Sequence, residues 1–388
     1  MAVRKAVIPA AGFGTRMLPA AKAVPKELLP VLDRPTVQYV VEEAAAAGAD
    51  DVLLVTSRDK KAVEDHFDRS PELEQRLAAG GKEALLAGVN ALAARVKVHS
   101  VRQATQRGLG DAVNQARRHV GSEPFLCLLG DTIFSTPPDR AAPAQSPPAA
   151  SASLKGLPLG RVLTTLGLVT EQQVSDALRR QKETGGKIGE ALVSLGYLRR
   201  DQIEAALAAQ RGEGAPPPAA TGVHSASLLN GPLPAEQLVA AYREFGTSVI
   251  GLEEVPPEKV SRYGVVGGRT VRDGVVRVET LVEKPSPLSA PSRMAIAARY
   301  VLTPAVFDCL DRTATGKGGE VQLTDALRLL VDREPVHGVL LHARRHDIGN
   351  PVDWLRTNLL YASRDPEVWE SLRPTLESLL RASARRGE

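Results

Sequence analysis

The stretch VRKAVIPAAGFGTR, residues 3–16, begins as an apolar strand pattern and ends in a glycine-rich turn. A strand that leads directly into such a turn is typical of the first strand of an α/β sheet. Glycine backbone can approach a phosphate closely, with its N–H groups pointing at the anion. The same pattern also fits an ordinary tight turn. The stretch therefore predicts the fold class and leaves the anion site as one of two alternatives.

Three cations favour the anion site over the ordinary turn. Arg16 offers a planar guanidinium that suits phosphoryl oxygens, and Lys22 and Lys26 follow it along the chain. Prolines between and after these lysines stiffen the segment. A stiff loop that carries three cations beside a glycine turn predicts an anionic ligand.

The remaining chain alternates strand and helix patterns, apart from one central region. The expected strands are 3–8, 51–56, 96–101, 125–129, 247–252, 275–283 and 336–342. The expected helices are 36–47, 59–67, 71–94, 234–245 and 352–362. Strands that alternate with helices predict an α/β, Rossmann-like domain with a mixed, largely parallel sheet.

Two segments rich in Pro, Ala and Ser interrupt this alternation. They cover residues 136–156 and 212–231 and are typical of semi-stiff, solvated linkers. They bracket a compact segment, 157–211. The sequence therefore predicts a discontinuous domain, 1–135 with 232–388, that is interrupted by a tethered insert.

The insert contains an internal repeat. PLGRVLTTLGLVTEQQVSDALRRQ at 158–181 matches KIGEALVSLGYLRRDQIEAALAAQ at 187–210, with glycines, leucines and the closing glutamine in corresponding places. Each copy predicts a short helix, a glycine turn and a second amphipathic helix. The insert is therefore expected to be a small all-α tandem-repeat unit.

Composition and charge exclude several classes of protein. Hydrophobic residues make up 43% of the chain, enough for a sizeable core, and the net charge of +4 gives little support for nucleic-acid binding. Cys127 and Cys309 lie in apolar surroundings and are expected to be buried thiols rather than a disulfide. We expect no signal peptide, because the opening segment is short and leads directly into a loop, and no apolar run approaches the length that a bilayer needs. We expect a cytoplasmic protein that binds no nucleic acid and no membrane.

A resemblance to a known family extends over residues 1–135 and about 232–363. AGFGTRMLPAAKAVPKELLPVLDRPTVQYVVEEA resembles the opening signature of the sugar-phosphate nucleotidyltransferases, in their bacterial UTP–glucose-1-phosphate uridylyltransferase branch. Further motifs follow in the family's order: VRQATQRGLGDAV (101–113), LLGDTIF (128–134), SRYGVVGG (261–268), VEKP (282–285), GGEVQLTDAL (318–327) and HDIGN (346–350).

This resemblance implies transfer of UMP from UTP to glucose 1-phosphate, with Mg²⁺ as cofactor. It implies a nucleotide-binding set of Ala10, Ala11, Gly12, Gly14, Thr15, Glu27, Gln103 and Gly108. Within this set, Glu27 and Gln103 are expected to read the uracil edge. Arg16 and Lys26 are expected to neutralise triphosphate charge.

The same resemblance implies the metal and acceptor sites. Asp131 and Asp347 are expected to bind Mg²⁺, a hard cation that takes a few carboxylates together with phosphate oxygens. Gly264, Glu283 and Lys284 are expected to bind the sugar phosphate, with Lys284 also acting in catalysis. No nucleophilic side chain is required, because the sugar phosphate itself attacks UTP.

Three positions depart from the family's usual pattern. Ala21 replaces a threonine of the lysine loop, Asp111 replaces a histidine after the GLG turn, and Thr132 replaces the second aspartate after the strand. Asp111 is the departure most relevant to substrate detail.

The repeat of the insert resembles the MshEN domain of pilus and type II secretion ATPases, some of which bind cyclic di-GMP. Pro158 and Lys187 occupy the positions of the two leading arginines. The candidate ligand residues are Gly160, Leu163, Gly167, Gln181, Lys187, Gly189, Leu192, Gly196 and Gln210. Cyclic di-GMP and a protein partner remain alternative ligands of the insert, since leucines at helical spacing also fit a packed core.

Two alternatives to the uridylyltransferase stay open. One is a nucleotidyltransferase for another nucleoside triphosphate or another sugar phosphate. The other is a catalytically weak sensor in which the enzyme fold only displays the insert. For the uridylyltransferase we expect a homo-oligomer.

Overall fold

The computed structural model describes residues 2–82, 85–86, 90, 92–135, 158–165, 169, 174, 177–181, 185–194, 203, 206–207, 232–316 and 319–384. The chain divides into two compact units, Met1–Ala141 with Ser225–Glu388 and Ala142–His224. The linkers expected at 136–156 and 212–231 lie outside the described residues, so their boundaries stay a prediction.

The larger unit carries all of the described strands. They are β1 (Lys5–Pro9), β2 (Pro30–Val31), β3 (Arg34–Pro35), β4 (Asp51–Thr56), β5 (Lys97–Arg102), β6 (Phe125–Leu128), β7 (Thr132–Ser135), β8 (Val249–Glu254), β9 (Gly264–Arg272), β10 (Val275–Glu283), β11 (Met294–Leu302), β12 (His337–Leu340) and β13 (Arg344–Asp347).

The described helices belong to both units. They are α1 (Thr36–Ala46), α2 (Lys61–Asp65), α3 (Pro71–Ala79), α4 (Leu109–Asn114), α5 (Arg117–Val120), α6 (Leu159–Thr165), α7 (Ile188–Ser194), α8 (Pro234–Phe245), α9 (Ala305–Arg312), α10 (Leu323–Val331), α11 (Pro351–Ala362) and α12 (Pro366–Ala384). In the described part of the chain, none of these helices has the length and apolarity that a membrane crossing needs.

The central sheet has nine strands in the order β5-β4-β1-β6-β11-β8-β12-β10-β9. Its first four strands are parallel, and β8 is also parallel to β12. The other ladders are antiparallel, including those of β11 with both of its neighbours. The expected mixed sheet is confirmed, but the expectation of a largely parallel sheet is wrong, because half of the neighbouring pairs are antiparallel.

Strand β11 is central to the sheet and was missed in the sequence analysis. It pairs with β6 on one side and β8 on the other, and almost all of its residues are buried. Its sequence, MAIAARYVL, contains small residues and Arg299, so it lacks the continuous large apolar side chains of a typical buried strand. The expected long helix 71–94 is also wrong, since α3 ends before Gly80 and Gly81, and Gly81 has φ +64°.

Alternate residues of the parallel strands enter two apolar cores. Ile8, Leu54 and Leu126 belong to one core, and Val7 and Cys127 belong to the other. Both faces of β1, β4 and β6 are therefore covered, as expected for parallel strands, while the edge strand β5 is largely exposed. Burial raises the pKa of the Cys127 thiol to about 12, which agrees with the expected buried thiol.

The smaller unit has an apolar core of its own. Val162, Leu163, Ala191 and Leu192 from α6 and α7 form much of it, together with Ala206. The corresponding glycines of the two copies, Gly160 and Gly189, also have equivalent surroundings. The repeat that is visible in the sequence is thus repeated in the packing of this unit.

Candidate active site

The glycine loop follows β1 directly. The Ala10 N–H donates to the carbonyl of Val55 at 2.8 Å, which joins the start of the loop to β4. Gly14 has φ +67° and precedes a short 3₁₀ turn, Thr15–Met17. A Cβ on Gly14 would lie 3.3 Å from Lys26 Cδ. Glycine is therefore required twice at this position, for its left-handed backbone and for the close packing of Lys26.

Four charged side chains meet where the strands end: Arg16, Lys26, Asp131 and Asp347, here called the strand-end cluster. Lys26 Nζ forms an ion pair with Asp131 Oδ2, and Arg16 Nη1 lies 3.8 Å from Asp347 Oδ2. The structure therefore brings together the expected phosphate-binding cations and the expected metal-binding carboxylates.

Strand pairing explains why the two aspartates are neighbours. Asp131 lies in the turn between β6 and β7, and β13 pairs antiparallel with β7, which places Asp347 opposite Thr132. The Ile348 N–H also donates to the Asp131 carbonyl at 2.9 Å. Two segments that are distant in sequence thus deliver their carboxylates to one place.

The Lys26–Asp131 pair is held in its charged form. Burial raises the pKa of Asp131, but the Lys26 ammonium outweighs burial and lowers it below its ordinary value. Burial lowers the pKa of Lys26, and Asp131 outweighs it in the same way, so this pKa is raised. Both groups therefore remain charged near neutral pH.

The donor set of the cluster fits Mg²⁺. In the described residues, no group of three or more His, Cys, Asp or Glu side chains is arranged to bind a metal ion. Mg²⁺ does not need such a group, because it commonly takes one or two carboxylates and completes its shell with water and substrate phosphates. Asp131 and Asp347 supply the two carboxylates.

The segment after β5 carries Gln103, which is expected to read the base, and Gly108 of the expected nucleotide-binding set. Gln103 Nε2 donates to the carbonyl of Gly108 at 3.2 Å and to Asp111 Oδ2 at 2.7 Å. Gly108 has φ +92°, and a Cβ on it would lie 2.8 Å from the Val321 carbonyl oxygen. This contact explains why glycine is needed there.

The expected acceptor residues come together on the β9–β10 hairpin. Gly264 pairs directly with Glu283, and a Cβ on Gly264 would lie 2.9 Å from both Ile296 Cδ1 and Thr324 Oγ1. Lys284 has φ +48°, an uncommon value for a residue other than glycine, and its N–H donates to the Tyr263 carbonyl at 3.0 Å. Such backbone strain is concentrated at functional sites.

Comparison with known proteins decides the family. The sequence profile described as nucleotidyl transferase matches residues 5–154 and 159–364, which is most of the chain. The chain belongs to the nucleotidyl transferase family.

Relatives with named activities cover nearly the whole chain. A UTP–glucose-1-phosphate uridylyltransferase of Bacillus subtilis (strain 168) is 34% identical over 378 residues, covering 97% of this chain and 97% of the relative. One from Staphylococcus epidermidis is 34% identical over 377 residues, covering 97% of this chain and 98% of the relative.

Solved structures of the family have the same fold. UTP-bound UGPase from Acinetobacter baumannii superposes with a TM-score of 0.68 at 26% identity, covering 97% of this chain and 99% of that one. A UDP-glucose pyrophosphorylase complexed with UDP-glucose superposes with a TM-score of 0.64 at 26% identity, covering 93% and 99%.

Lys60 is a residue of this nucleotidyl transferase site that sequence reasoning missed. Its Nζ donates to the Ala10 carbonyl at 2.6 Å and to both Glu27 carboxylate oxygens at 2.7 Å. Burial raises the pKa of Glu27 and lowers that of Lys60, while their mutual attraction opposes both shifts. Lys60 follows Arg58 and Asp59 in an apparently solvated charge run, so the sequence contains no signal of its burial.

The contact of Glu27 with Lys60 changes what is expected of Glu27. Its carboxylate is 1% exposed and both oxygens already accept from Lys60. The geometry favours Glu27 as a support of the loop, and base reading by Gln103 stays a prediction. Direct reading of uracil by Glu27 stays a prediction.

A second missed feature is the buried pair of Glu43 and Arg299. Arg299 binds the Glu43 carboxylate through Nε and Nη2, at 3.0 and 2.7 Å, and Nη2 also donates to the Thr132 carbonyl at 2.8 Å. The Ala235 N–H donates to Glu43 at 3.0 Å. This pair therefore binds the backbone beside Asp131 and the start of α8.

The candidate ligand residues of the insert divide into packed and polar positions. Gly160 and Gly189 face Val174 and Ile203, where a Cβ would lie at 3.0 Å, and Leu163 and Leu192 are fully buried. Gln181 donates to the Gly186 carbonyl at 2.8 Å, immediately before Lys187. Gly167, Gly196 and Gln210 lie outside the described residues.

Proposed function

We propose that this nucleotidyl transferase transfers UMP from UTP to glucose 1-phosphate, giving UDP-glucose and pyrophosphate. The observation that carries the proposal is the strand-end cluster beside the glycine loop, where two cations and two carboxylates face each other. The names of the relatives that cover nearly the whole chain support the choice of UTP and glucose 1-phosphate.

The reaction brings two anions together. A phosphate oxygen of glucose 1-phosphate attacks the α-phosphorus of UTP, and the bond to the β-phosphate oxygen breaks as pyrophosphate leaves. The main catalytic tasks are therefore to position the reactants and to stabilise negative charge. Arg16 and Lys26 supply the cations on the nucleotide side, where the glycine loop offers backbone N–H groups to the phosphates.

Mg²⁺ is part of the proposal, with Asp131 and Asp347 as its protein ligands. When bound, the ion supplies positive charge to the phosphate oxygens and orients them. The Asp131 carboxylate is available in its ionised form because its pKa lies below the ordinary value. Lys26 must exchange its contact with Asp131 for a phosphate oxygen when substrate binds, and its buried ammonium remains close to both.

The acceptor is proposed to bind at the β9–β10 hairpin. Glu283 offers a carboxylate to sugar hydroxyls, and Lys284 offers an exposed ammonium to the phosphate, with its side chain 59% exposed. The ammonium lies 3.4 Å from Glu283 Oε1, so one local pair presents both an acceptor and a cation. Gly264 leaves room beside Glu283, because any side chain there would meet Ile296 and Thr324.

Pyrophosphate release tests this function and its two alternatives. We expect release with UTP, glucose 1-phosphate and Mg²⁺, and loss of release when EDTA removes the metal. Faster release with another nucleoside triphosphate or another sugar phosphate would replace the substrate assignment. No release with any pair would favour the catalytically weak sensor.

The insert is proposed to act as an accessory binding unit, with cyclic di-GMP as the ligand that its repeat resemblance implies. Gln181 and Lys187 are neighbouring polar groups that could meet a phosphate or a base. The packed environments of Gly160 and Gly189 favour the alternative, a docking unit for a protein.

Calorimetric titration of the whole chain with cyclic di-GMP tests this proposal. Binding that weakens about tenfold in Lys187→Ala would support it, since a charge-assisted contact contributes roughly 1.5–3 kcal/mol. Absence of binding at high micromolar ligand would leave the docking unit.

A further inference from the structure

The segment 103–111 lies at the same edge of the sheet as the glycine loop. The Gln103 N–H donates to the carbonyl of Thr56, the last residue of β4, at 2.9 Å. Gln106 Nε2 donates to the Ala11 carbonyl at 3.1 Å. These two bonds place residues 103–106 beside the loop proposed to bind the nucleotide.

Asp111 and Gly108 determine which way the Gln103 amide points. Both neighbours of its Nε2 atom are oxygen acceptors, the Asp111 carboxylate at 2.7 Å and the Gly108 carbonyl at 3.2 Å. The Asp111 carboxylate, which is paired with a guanidinium, can only accept hydrogen bonds, and so can the Gly108 backbone carbonyl. The NH₂ group of the Gln103 amide must therefore face both of them. Arg107 Nη2 supplies that guanidinium, 3.0 Å from Asp111 Oδ1.

The same arrangement leaves the Gln103 Oε1 oxygen turned away from Asp111. The side chain is 4% exposed, and no group within the described ranges donates to this oxygen. An amide oxygen in a nearly buried residue that has no protein donor is free to accept from a ligand or from water. Its position beside the glycine loop makes the nucleotide base the natural donor.

We propose that Asp111 is a specificity-determining residue, which orients Gln103 so that its oxygen accepts from the N3–H of a uracil base. The proposal rests on the proposed function, because it takes Gln103 as the side chain that faces the base. It concerns Asp111, which replaces the histidine usual after the GLG turn. Asp111 acts through Gln103 and is a positioning residue.

This orientation discriminates between pyrimidines. N3 of uracil carries a hydrogen and can donate to Gln103 Oε1, whereas N3 of cytosine carries a lone pair and would face an acceptor. A site built to hydrogen-bond one substrate rejects an analogue that leaves its buried polar group unpaired. The chain should therefore bind UTP more tightly than CTP.

Replacing Asp111 with asparagine should reverse the amide. Arg107 donates towards the Oδ1 position, so the asparagine oxygen is retained there and its NH₂ group takes the Oδ2 position. That NH₂ faces Gln103 from the closer position, 2.7 Å against 3.2 Å for the Gly108 carbonyl, and it requires an acceptor. We therefore expect Gln103 Oε1 to turn towards residue 111 and Nε2 towards the base, with loss of the longer bond to Gly108. A donor at this place favours the N3 lone pair of cytosine.

A second change should restore the original preference. In Gln103→Glu combined with Asp111→Asn, the glutamate can only accept. One of its oxygens accepts from the asparagine NH₂ and gives up the wild-type bond to the Gly108 carbonyl, and the other faces the base as the wild-type amide oxygen does. The double variant moves the carboxylate from residue 111 to residue 103 and the amide from residue 103 to residue 111, with almost no change in side-chain size. A restored preference for UTP would therefore be due to the direction of the hydrogen bonds and not to a change in packing.

Equilibrium binding of UTP and CTP, with Mg²⁺ present, tests the inference in the full chain. Calorimetry should give tighter binding of UTP than of CTP in the wild type. In Asp111→Asn, the ratio of the two dissociation constants should shift at least tenfold towards CTP, and it should return towards UTP in the double variant. An unchanged ratio in a folded Asp111→Asn chain would overturn the inference, as would equal wild-type affinities or failure of the double variant to restore the preference.

Two further measurements keep the outcome decisive. If Asp111→Asn does not fold, Asp111→Ala removes the acceptor without supplying a donor, and the inference then requires a smaller shift of the same sign; no shift overturns it. If no pyrophosphate is released but the UTP-to-CTP ratio shifts in Asp111→Asn and returns in the double variant, the proposed function is rejected and this inference is supported. Release of pyrophosphate from UTP, together with an unchanged ratio of dissociation constants in the variants, would support the proposed function and reject this inference.

Discussion

Two charged groups of residues contact the turn between β6 and β7, and they differ in how completely their charges are enclosed. In the strand-end cluster, the Arg16 and Asp347 side chains are 67% and 34% exposed, and those of Lys26 and Asp131 are 14% and 17% exposed. In the Glu43–Arg299 pair the corresponding values are 6% and 0%. Side chains of the cluster are accessible to a ligand and can exchange their present ion-pair partners for it. The side chains of the buried pair are closed to solvent, so a ligand cannot replace their partners. The first group therefore suits substrate binding, and the second suits support of the backbone behind it.

The hydrogen bonds of the two groups lead to the same conclusion. Arg299 donates to the Thr132 carbonyl and also to the Ala298 carbonyl, and its guanidinium lies 4.7 Å from the centre of the Phe134 ring. Lys26 contacts Asp131, and Arg16 lies near Asp347 at the longer distance of 3.8 Å. The Arg299 guanidinium, with several fixed partners, stabilises the surrounding backbone. The loosely paired Arg16 guanidinium remains available to bind a substrate.

The largest expected effect is a loss of stability in Glu43→Ala. The change leaves the Arg299 guanidinium buried without its carboxylate, and removal of one partner from a buried pair costs about 3–5 kcal/mol. Chemical denaturation measures it. The matched control, Glu43→Leu with Arg299→Met, removes both charges and should recover a large part of the loss. Equal destabilisation by the two chains would contradict the account of this pair.

The next effect is on turnover and concerns the strand-end cluster. Asp131→Asn and Asp347→Asn each remove a carboxylate from the proposed Mg²⁺ site, and pyrophosphate release should fall about 100- to 1000-fold. The unfolding midpoint should stay close to that of the wild type, in contrast to Glu43→Ala. Asp332→Asn, an exposed carboxylate outside the cluster, is the matched control and should keep its activity. Near-normal rates of both variants at saturating Mg²⁺ would refute the metal assignment.

An intermediate effect is expected at Lys60, which is buried in an ion pair with Glu27, as Arg299 is with Glu43, and which also contacts the glycine loop beside the strand-end cluster. Lys60→Met leaves the Glu27 carboxylate buried and removes the bond to the Ala10 carbonyl in the glycine loop. We expect the KM for UTP to rise about tenfold, which corresponds to the roughly 1.4 kcal/mol of one charged hydrogen bond. Lys60→Met with Glu27→Gln should recover part of this loss. A normal KM for UTP in Lys60→Met would show that the loop does not depend on the pair.

The smallest effect is expected from removal of the insert. Arg299 binds the Thr132 carbonyl and Glu43 binds the Ala235 N–H, so the chain before and after the insert contacts a single ion pair. A short Gly/Ser loop in place of residues 137–231 should join them, and closure entropy changes by only about 0.6 kcal/mol per doubling of loop length. We expect kcat/KM for UTP to change by less than about twofold. An insoluble or inactive product would show that the insert supports the larger unit.

The sequence predicted the parts of the fold that depend on local patterns. The bounds of β4, α8 and β10 agree with the expected segments, because continuous apolar runs and capped helical patterns are local signals. β11 was missed because an arginine is not expected in a buried strand, and here Arg299 is stabilised by an ion pair with Glu43 of α1. The nine residues MAIAARYVL do not by themselves contain that information.

The same division applies to the site. The glycine loop, Arg16, Lys26 and the two aspartates are recognisable from residue type and motif order, since each must present its chemistry on a short segment of chain. Only the tertiary structure decided that β13 pairs with β7 and brings Asp347 to Asp131, that Lys60 is buried against Glu27, and that Asp111 orients Gln103. These contacts join distant or differently oriented segments, and their free energy depends on burial and geometry that exist only after the chain has folded.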